Sequence, residues 1–140
     1  MQLINFKISS DFIALEMDEK YLDLHGNFDF VGLERNEEKN QAVLKWTKTS
    51  GSWVPENDPG RIEIIFSDVT LFKSRERDSE MPLSEDKTLD SLGFVNNELI
   101  DEIEGFARSY PEDGANYLNI SFASGYAIKI GAGKAECIIS

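Results

Sequence analysis

Residues 118–130 read LNISFASGYAIKI and contain the clearest β-hairpin pattern in the sequence. Large residues alternate with small or polar ones on both sides of Ser124-Gly125: Leu118, Ile120 and Phe122 before it, and Tyr126, Ile128 and Ile130 after it. A period of two places successive side chains on opposite faces of a strand, and glycine favours a tight connection. The stretch therefore predicts two antiparallel strands that share one buried face.

The same period recurs through most of the chain. It predicts further strands at residues 4–8, 13–17, 21–24, 28–33, 42–46, 62–66, 69–71 and 135–139. Residues 36–40 predict a hairpin loop, and residues 48–60, with two prolines and two glycines, predict the longest loop. Ser67-Asp68 and residues 131–134 predict turns. The alternation shifts at Gly32, which predicts a β-bulge that bends the sheet.

Two segments predict helices. Ser84 can cap a short helix that runs through Leu89 and Leu92 and ends at Gly93. Residues 97–108 predict an amphipathic helix, with Leu99, Ile100, Ile103, Phe106 and Ala107 on one face and Glu98, Asp101 and Glu102 on the other. The predicted fold class is a mainly β single domain over residues 1–140, a β-sandwich or strongly curved antiparallel sheet with one short and one amphipathic helix.

Charge and cysteine usage limit the classes of partner and compartment. The chain has 26 acidic and 14 basic residues, for a formal net charge of −12. This charge repels phosphate backbones and anionic lipid, so nucleic acid and membranes are not expected partners, whereas basic proteins are. The single cysteine, Cys137, excludes an intrachain disulfide. With no signal-peptide pattern at the start, the sequence favours a cytoplasmic location.

The motif search predicts no catalytic residue, no metal site and no cofactor. The one histidine, His25, has no nucleophile or ligand at a recognised spacing, and Cys137 alternates with apolar residues as a core residue does. Residues 131–134 (GAGK) are too short for a phosphate loop and lead into a strand. Carboxylates are abundant, but an enzyme that uses two of them is the least favoured hypothesis, since nothing places a pair at catalytic separation.

Two features predict contact with a partner. Acidic residues concentrate between Glu76 and Asp113, and Glu98, Asp101 and Glu102 would be exposed together opposite an apolar helix face. They form either a solvated surface or a docking site for a basic protein. Trp53, in the long loop, is either an interface anchor or a side chain folded back over the core.

The order of elements in the second half resembles small β-rich bacterial proteins, some of which are assigned as immunity proteins of polymorphic toxin systems. The resemblance lies in residues 62–71, the run 77–86 before a short helix, and the Ser124-Gly125 hairpin. It implies a non-enzymatic module that neutralises a toxin by covering its basic cleft. The alternative hypothesis is a protein that binds an apolar or sugar ligand inside a curved sheet lined by Phe28, Phe30, Trp46 and Phe66.

Overall fold

The part of the chain that the structure describes folds into ten β-strands and one short 3-10 helix. A computed structural model describes residues 1–103 and 108–140. The strands are β1 (Gln2–Leu3), β2 (Lys7–Ile8), β3 (Ala14–Met17), β4 (Lys20–Asp23), β5 (Phe28–Asn36), β6 (Gln41–Lys48), β7 (Arg61–Arg75), β8 (Leu89–Val95), β9 (Tyr117–Phe122) and β10 (Ala127–Ile139). The 3-10 helix spans Leu83–Lys87. The prediction of a mainly β protein is confirmed.

Most strands belong to one seven-stranded sheet. Six of its strands are antiparallel and follow the order β5-β6-β7-β10-β9-β8, and β1 is the seventh, which pairs in parallel with β10. This sheet is strongly curled. Phe30 on β5 lies 4.4 Å from Phe122 on β9, measured between ring centroids, although three other strands separate them along the sheet. The curl brings the two edges towards each other around one core.

A second sheet, β2-β3-β4, covers part of this core. Alternate residues of the large sheet point inward, as Leu44 and Trp46 do on β6 and Ile64 and Phe66 do on β7. Phe6, Leu15 and Leu22 come from the N-terminal segment and the small sheet and join the same buried cluster. Most of the predicted period-two stripes therefore become core faces, and burying them supplies the main stabilisation. The strand predicted at residues 4–8 is an exception, because only Lys7–Ile8 of it is a strand and Ile4 is exposed.

Two predicted turns lie inside continuous strands. Ser67-Asp68 and residues 131–134 were expected to separate strands, but β7 and β10 run unbroken through them and pair with each other along almost their whole length. Asp68 adopts a positive φ of 56°, and the register shifts at Gly131/Ala132. The breaks in alternation thus reflect a bulge, which bends both strands without reversing them. The bulge predicted at Gly32 is confirmed.

The helix predictions are wrong or lie partly outside the described residues. Residues 97–103 form successive turns, with Ile100 exposed, and Phe106 and Ala107 lie outside the described residues. The predicted amphipathic helix is therefore not present over the described part. The short helix shrinks to Leu83–Lys87, where Pro82 and not Ser84 precedes the first turn, while Leu89, Leu92 and Gly93 belong to β8.

Candidate functional site

Residues 96–103 form an acidic turn on the outer face of the large sheet, directly after β8. Two backbone turn bonds form it, from the Leu99 amide to the Asn96 carbonyl and from the Glu102 amide to the Leu99 carbonyl, and asparagine side chains add to them. The Asn96 side-chain oxygen accepts a hydrogen bond from the Glu98 amide at 2.9 Å, and the Asn97 side-chain oxygen accepts one from the Asn116 amide at 2.7 Å. Asparagine side chains that bond to nearby backbone favour turns over helix.

The acidic turn is held from beneath by two side chains of the sheet. The Lys129 Nζ donates to the Glu102 carbonyl at 2.7 Å, and the Asn119 side-chain amide donates to the Ile103 carbonyl. Lys129 and Asn119 lie directly opposite each other on β10 and β9, and both are buried. These contacts use backbone carbonyls, and the carboxylates of Glu98, Asp101 and Glu102 in the same segment are exposed.

Glu98, Asp101 and Glu102 are all exposed, and the structure places them together on this one turn. The Asp101 side chain is 95% exposed and lies 2.5 Å from the Lys73 ammonium. A hydrogen bond from Lys73, followed by the charge of that lysine, lowers the pKa of Asp101. Burial, and next the nearby charge of Lys73, lower the pKa of Lys129, whereas the carboxylates of Glu102 and Asp101 oppose that change.

A recess of about 450 Å³ beside the acidic turn extends this negative surface. Glu98 lines it together with Glu112 and Asp113, which follow later in the chain. Arg108 also lines the recess and forms an ion pair with Glu112. The recess therefore combines three carboxylates with one arginine, and it continues the acidic surface beyond the turn.

Trp53 lies in the loop of residues 49–60, which we call the Trp53 loop. The expectation that Trp53 folds back over the core is not met, since its side chain is 68% exposed and the neighbouring Val54 is buried instead. The indole Nε1 donates to the Gly26 carbonyl at 2.9 Å. Trp53 is therefore an exposed aromatic side chain whose orientation is fixed by a hydrogen bond.

An open groove of about 1020 Å³ lies between the N-terminal segment and the β3-β4 hairpin, and we call it the N-terminal groove. Residues 1–8, 16–21 and 109–111 line it, and Ile4, Tyr21 and Tyr110 are its exposed large side chains. Sequence reasoning missed the groove. It forms because β1 joins the large sheet while β2 joins the small one, and no local pattern signals that separation.

The four aromatic residues predicted to line a ligand cavity serve the core instead. Phe28, Trp46 and Phe66 are buried, and Phe30 packs edge to face on Trp46 with ring centroids 5.1 Å apart. Such aromatic pairs fill space and stabilise the curl of the sheet.

Cys137 and His25 both have surroundings that point to a structural role. Burial raises the pKa of the Cys137 thiol to about 12, so it stays protonated at neutral pH. The His25 Nδ1 lies 2.5 Å from the Leu89 carbonyl, which ties the end of β4 to the start of β8. Within residues 1–103 and 108–140, no group of three or more potential metal ligands comes together.

Comparison with protein-family models, curated proteins and solved structures finds no match to this chain. Among the residues that the structure describes, no helix has the length and apolar character needed to cross a membrane.

Proposed function

We propose that this protein is a non-enzymatic binding module that docks a basic protein partner through the acidic turn. The observation that carries the proposal is the direction of the contacts under the turn. Lys129 and Asn119 bind backbone carbonyls, so the carboxylates of Glu98 and Glu102 are not needed to hold the turn in place. Carboxylates that are exposed, clustered and held on a fixed backbone are suited to electrostatic recognition.

The charge of the whole chain supports the same partner chemistry. A formal net charge of −12 attracts basic surfaces over a range set by the ionic strength, and the acidic turn and its recess then provide a local negative surface. A toxin with a basic cleft fits this chemistry, and the resemblance to immunity proteins in residues 62–71 and 118–130 favours such a partner.

The N-terminal groove favours a second candidate function, the binding of a small apolar molecule. Its exposed side chains, Ile4, Tyr21 and Tyr110, offer apolar contact around an open space large enough for a ligand. An apolar fluorescent dye should bind the folded protein, and Ile4→Ser should weaken that binding. If the dye binds the variant equally well, the groove is not the site.

Recovery of partners from the native host tests the proposed function. The wild-type chain should retain a basic protein that the variant Glu98→Gln/Asp101→Asn/Glu102→Gln loses. The matched control is Glu37→Gln/Glu38→Gln/Glu136→Gln, which removes the same charge from exposed positions elsewhere. If both triple variants lose the partner equally, only net charge matters and the acidic turn is not the docking site.

A further inference from the structure

We propose that Trp53 is a cation–π anchor that receives an arginine or lysine side chain of the basic partner. This inference rests on the proposed function but uses a separate part of the surface. Trp53 is the most solvent-exposed aromatic side chain of the described residues, and tryptophan is the side chain that binds cations best through its ring face. An exposed indole alone is unremarkable in a loop, so the proposal depends on how this one is held.

The indole of Trp53 is fixed at two points. Its Nε1 donates to the Gly26 carbonyl at 2.9 Å, which connects the Trp53 loop to the start of β5. The six-membered part of the indole lies against Gly51, where an added Cβ would come within 2.2 Å of the nearest ring carbon and 2.4 Å of two others. One side of the ring is thus covered by glycine backbone, and the other side is available to a ligand.

The rest of the Trp53 loop is also well anchored. Val54 is buried, and its amide donates to the Gly51 carbonyl at 3.3 Å. The Lys48 Nζ donates to the carbonyls of Glu56 and Asp58 at 3.1 and 3.3 Å. Little conformational freedom remains to be lost when a partner binds, and this raises the affinity that a single aromatic contact can provide.

Two carboxylates belong to the segments that hold the indole. The Asp23 carboxylate accepts hydrogen bonds from the amides of His25 and Gly26 at 2.9 and 2.8 Å. Gly26 is the residue whose carbonyl binds the indole N–H. Within the loop, Asp58 has a buried carboxylate oxygen with no hydrogen-bond partner among the described residues. The ammonium of Lys48 also contacts the loop, where it donates to the backbone carbonyls of Glu56 and Asp58. The segments that hold the indole thus carry these two carboxylates and one ammonium, and the formal net charge of −12 on the whole chain attracts a cation to this surface.

Trp53 and the acidic turn lie towards opposite ends of β8. Gly26 holds the indole, and His25 beside it bonds to Leu89 at the start of β8, whereas the acidic turn follows Val95 at its end. A partner that uses both must span at least the length of β8. The two contacts can consequently be tested one at a time.

The direct test is an NMR titration of the ¹⁵N-labelled protein, in which each of the two tryptophans gives one indole N–H signal. The probe is the peptide acetyl-Gly-Arg-Gly-Arg-Gly-amide, and the control probe carries citrulline, a neutral analogue, in place of each arginine. We expect the arginine peptide to shift the Trp53 indole signal and to leave that of buried Trp46 in place. An absent shift, or an equal shift with the citrulline peptide, would overturn the proposal.

Variants give the matched comparison, with affinity measured from the anisotropy of a dye-labelled arginine peptide. Trp53→Leu should raise the Kd by roughly 2- to 30-fold, and Trp53→Phe should raise it less, because a phenyl ring keeps part of the interaction. Unchanged affinity in Trp53→Leu contradicts the inference. In Glu98→Gln/Asp101→Asn/Glu102→Gln the indole shift should persist, so a failure of the acidic turn and a failure of Trp53 give different results.

Discussion

The buried ammonium of Lys129 lies 2.7 Å from the carbonyl oxygen of Glu102, and this bond joins strand β10 to the acidic turn that crosses it. Glu102 therefore has two roles. Its backbone carbonyl anchors the acidic turn to the sheet, whereas its carboxylate is exposed to solvent. Burying a lysine ammonium costs free energy unless its N–H groups are hydrogen-bonded, because burial disfavours the charged form.

Replacing Lys129 should loosen the acidic turn more than it unfolds the protein. In Lys129→Met the volume is retained, and removing a buried charge offsets the lost hydrogen bond, so the free energy of unfolding should change by no more than about 1 kcal/mol. Amide hydrogen exchange at residues 99–103 should accelerate about tenfold. Lys134→Met, at an exposed position of the same strand, is the control. Unchanged exchange would show that Lys129 does not hold the turn.

Lys129 also predicts how stability depends on alkaline pH. Its pKa is lowered in the folded state, so the unfolded chain binds the extra proton between that lowered pKa and the ordinary value of 10.5. Within this window the free energy of unfolding of the wild type should rise with pH relative to that of Lys129→Met. Below the window both states are protonated and the difference should be constant. Urea unfolding across neutral to alkaline pH measures it, and a falling difference would contradict the account.

The Cys137 thiol should be unreactive in the folded protein. Its pKa of about 12 leaves almost no thiolate at mildly alkaline pH, and its side chain is buried. The side-chain amide of Asn5 donates to the Cys137 carbonyl at 2.7 Å and accepts from its amide at 2.8 Å. Asn5→Ala should therefore cost about 1–3 kcal/mol and speed labelling by a thiol reagent, whereas exposed Asn57→Ala should not. Rapid labelling of the wild type would contradict the burial of Cys137.

Asp11 and Tyr21 should titrate as a connected pair. A hydrogen bond to Asp11 raises the pKa of Tyr21 to about 12, and bonds from Ser9 and then Tyr21 lower the pKa of Asp11. The hydrogen bond between Tyr21 and Asp11 stabilises the folded protein at neutral pH. This stabilisation is lost as pH rises through about 12, and also as pH falls through the lowered pKa of Asp11. Asp11→Asn should return the Tyr21 pKa towards 10, as measured by tyrosinate absorbance, and Tyr21→Phe identifies the step.

Glu19 should be replaceable by glycine with a gain in stability. Asp18 and Glu19 form the two-residue turn between β3 and β4 with positive φ values of 47° and 66°. That conformation costs an ordinary L-residue about 1–2 kcal/mol, and glycine avoids the cost but loses more entropy on folding. Glu19→Gly should stabilise the protein by about 0.5–1 kcal/mol, and Glu16→Gly, within β3, should destabilise it. A destabilised Glu19→Gly would show that the glutamate has compensating contacts.

Local sequence patterns predicted most strands, because a strand with one buried face alternates apolar and polar residues along the chain. Ala14–Met17, Gln41–Lys48 and Tyr117–Phe122 each lie where a period of two was seen. β8 was missed because both of its faces are buried from Leu92 to Val95 and a bulge follows Leu89, so its apolar residues do not alternate. Strands buried on both sides cannot be distinguished from helices by periodicity alone.

The acidic turn shows the other limit of local reasoning. Leu99, Ile100 and Ile103 have helical spacing, but the donors that fix this segment are Asn119 and Lys129, which lie 16 and 27 residues from their acceptors along the chain. Tertiary hydrogen bonds therefore override a weak helical preference. The exposure of Glu98, Asp101 and Glu102 was still predicted, because highly charged side chains stay in solvent in either conformation.

Association kinetics distinguish an acidic turn that attracts a basic partner from one that is only solvated. Once recovery from the host has identified the partner, its association rate should fall steeply as salt rises to physiological ionic strength. Glu98→Gln/Asp101→Asn/Glu102→Gln should associate more slowly than Glu37→Gln/Glu38→Gln/Glu136→Gln, which has the same net charge. If the two triple variants associate at the wild-type rate, and salt has no effect on any of them, the acidic turn is not a docking surface.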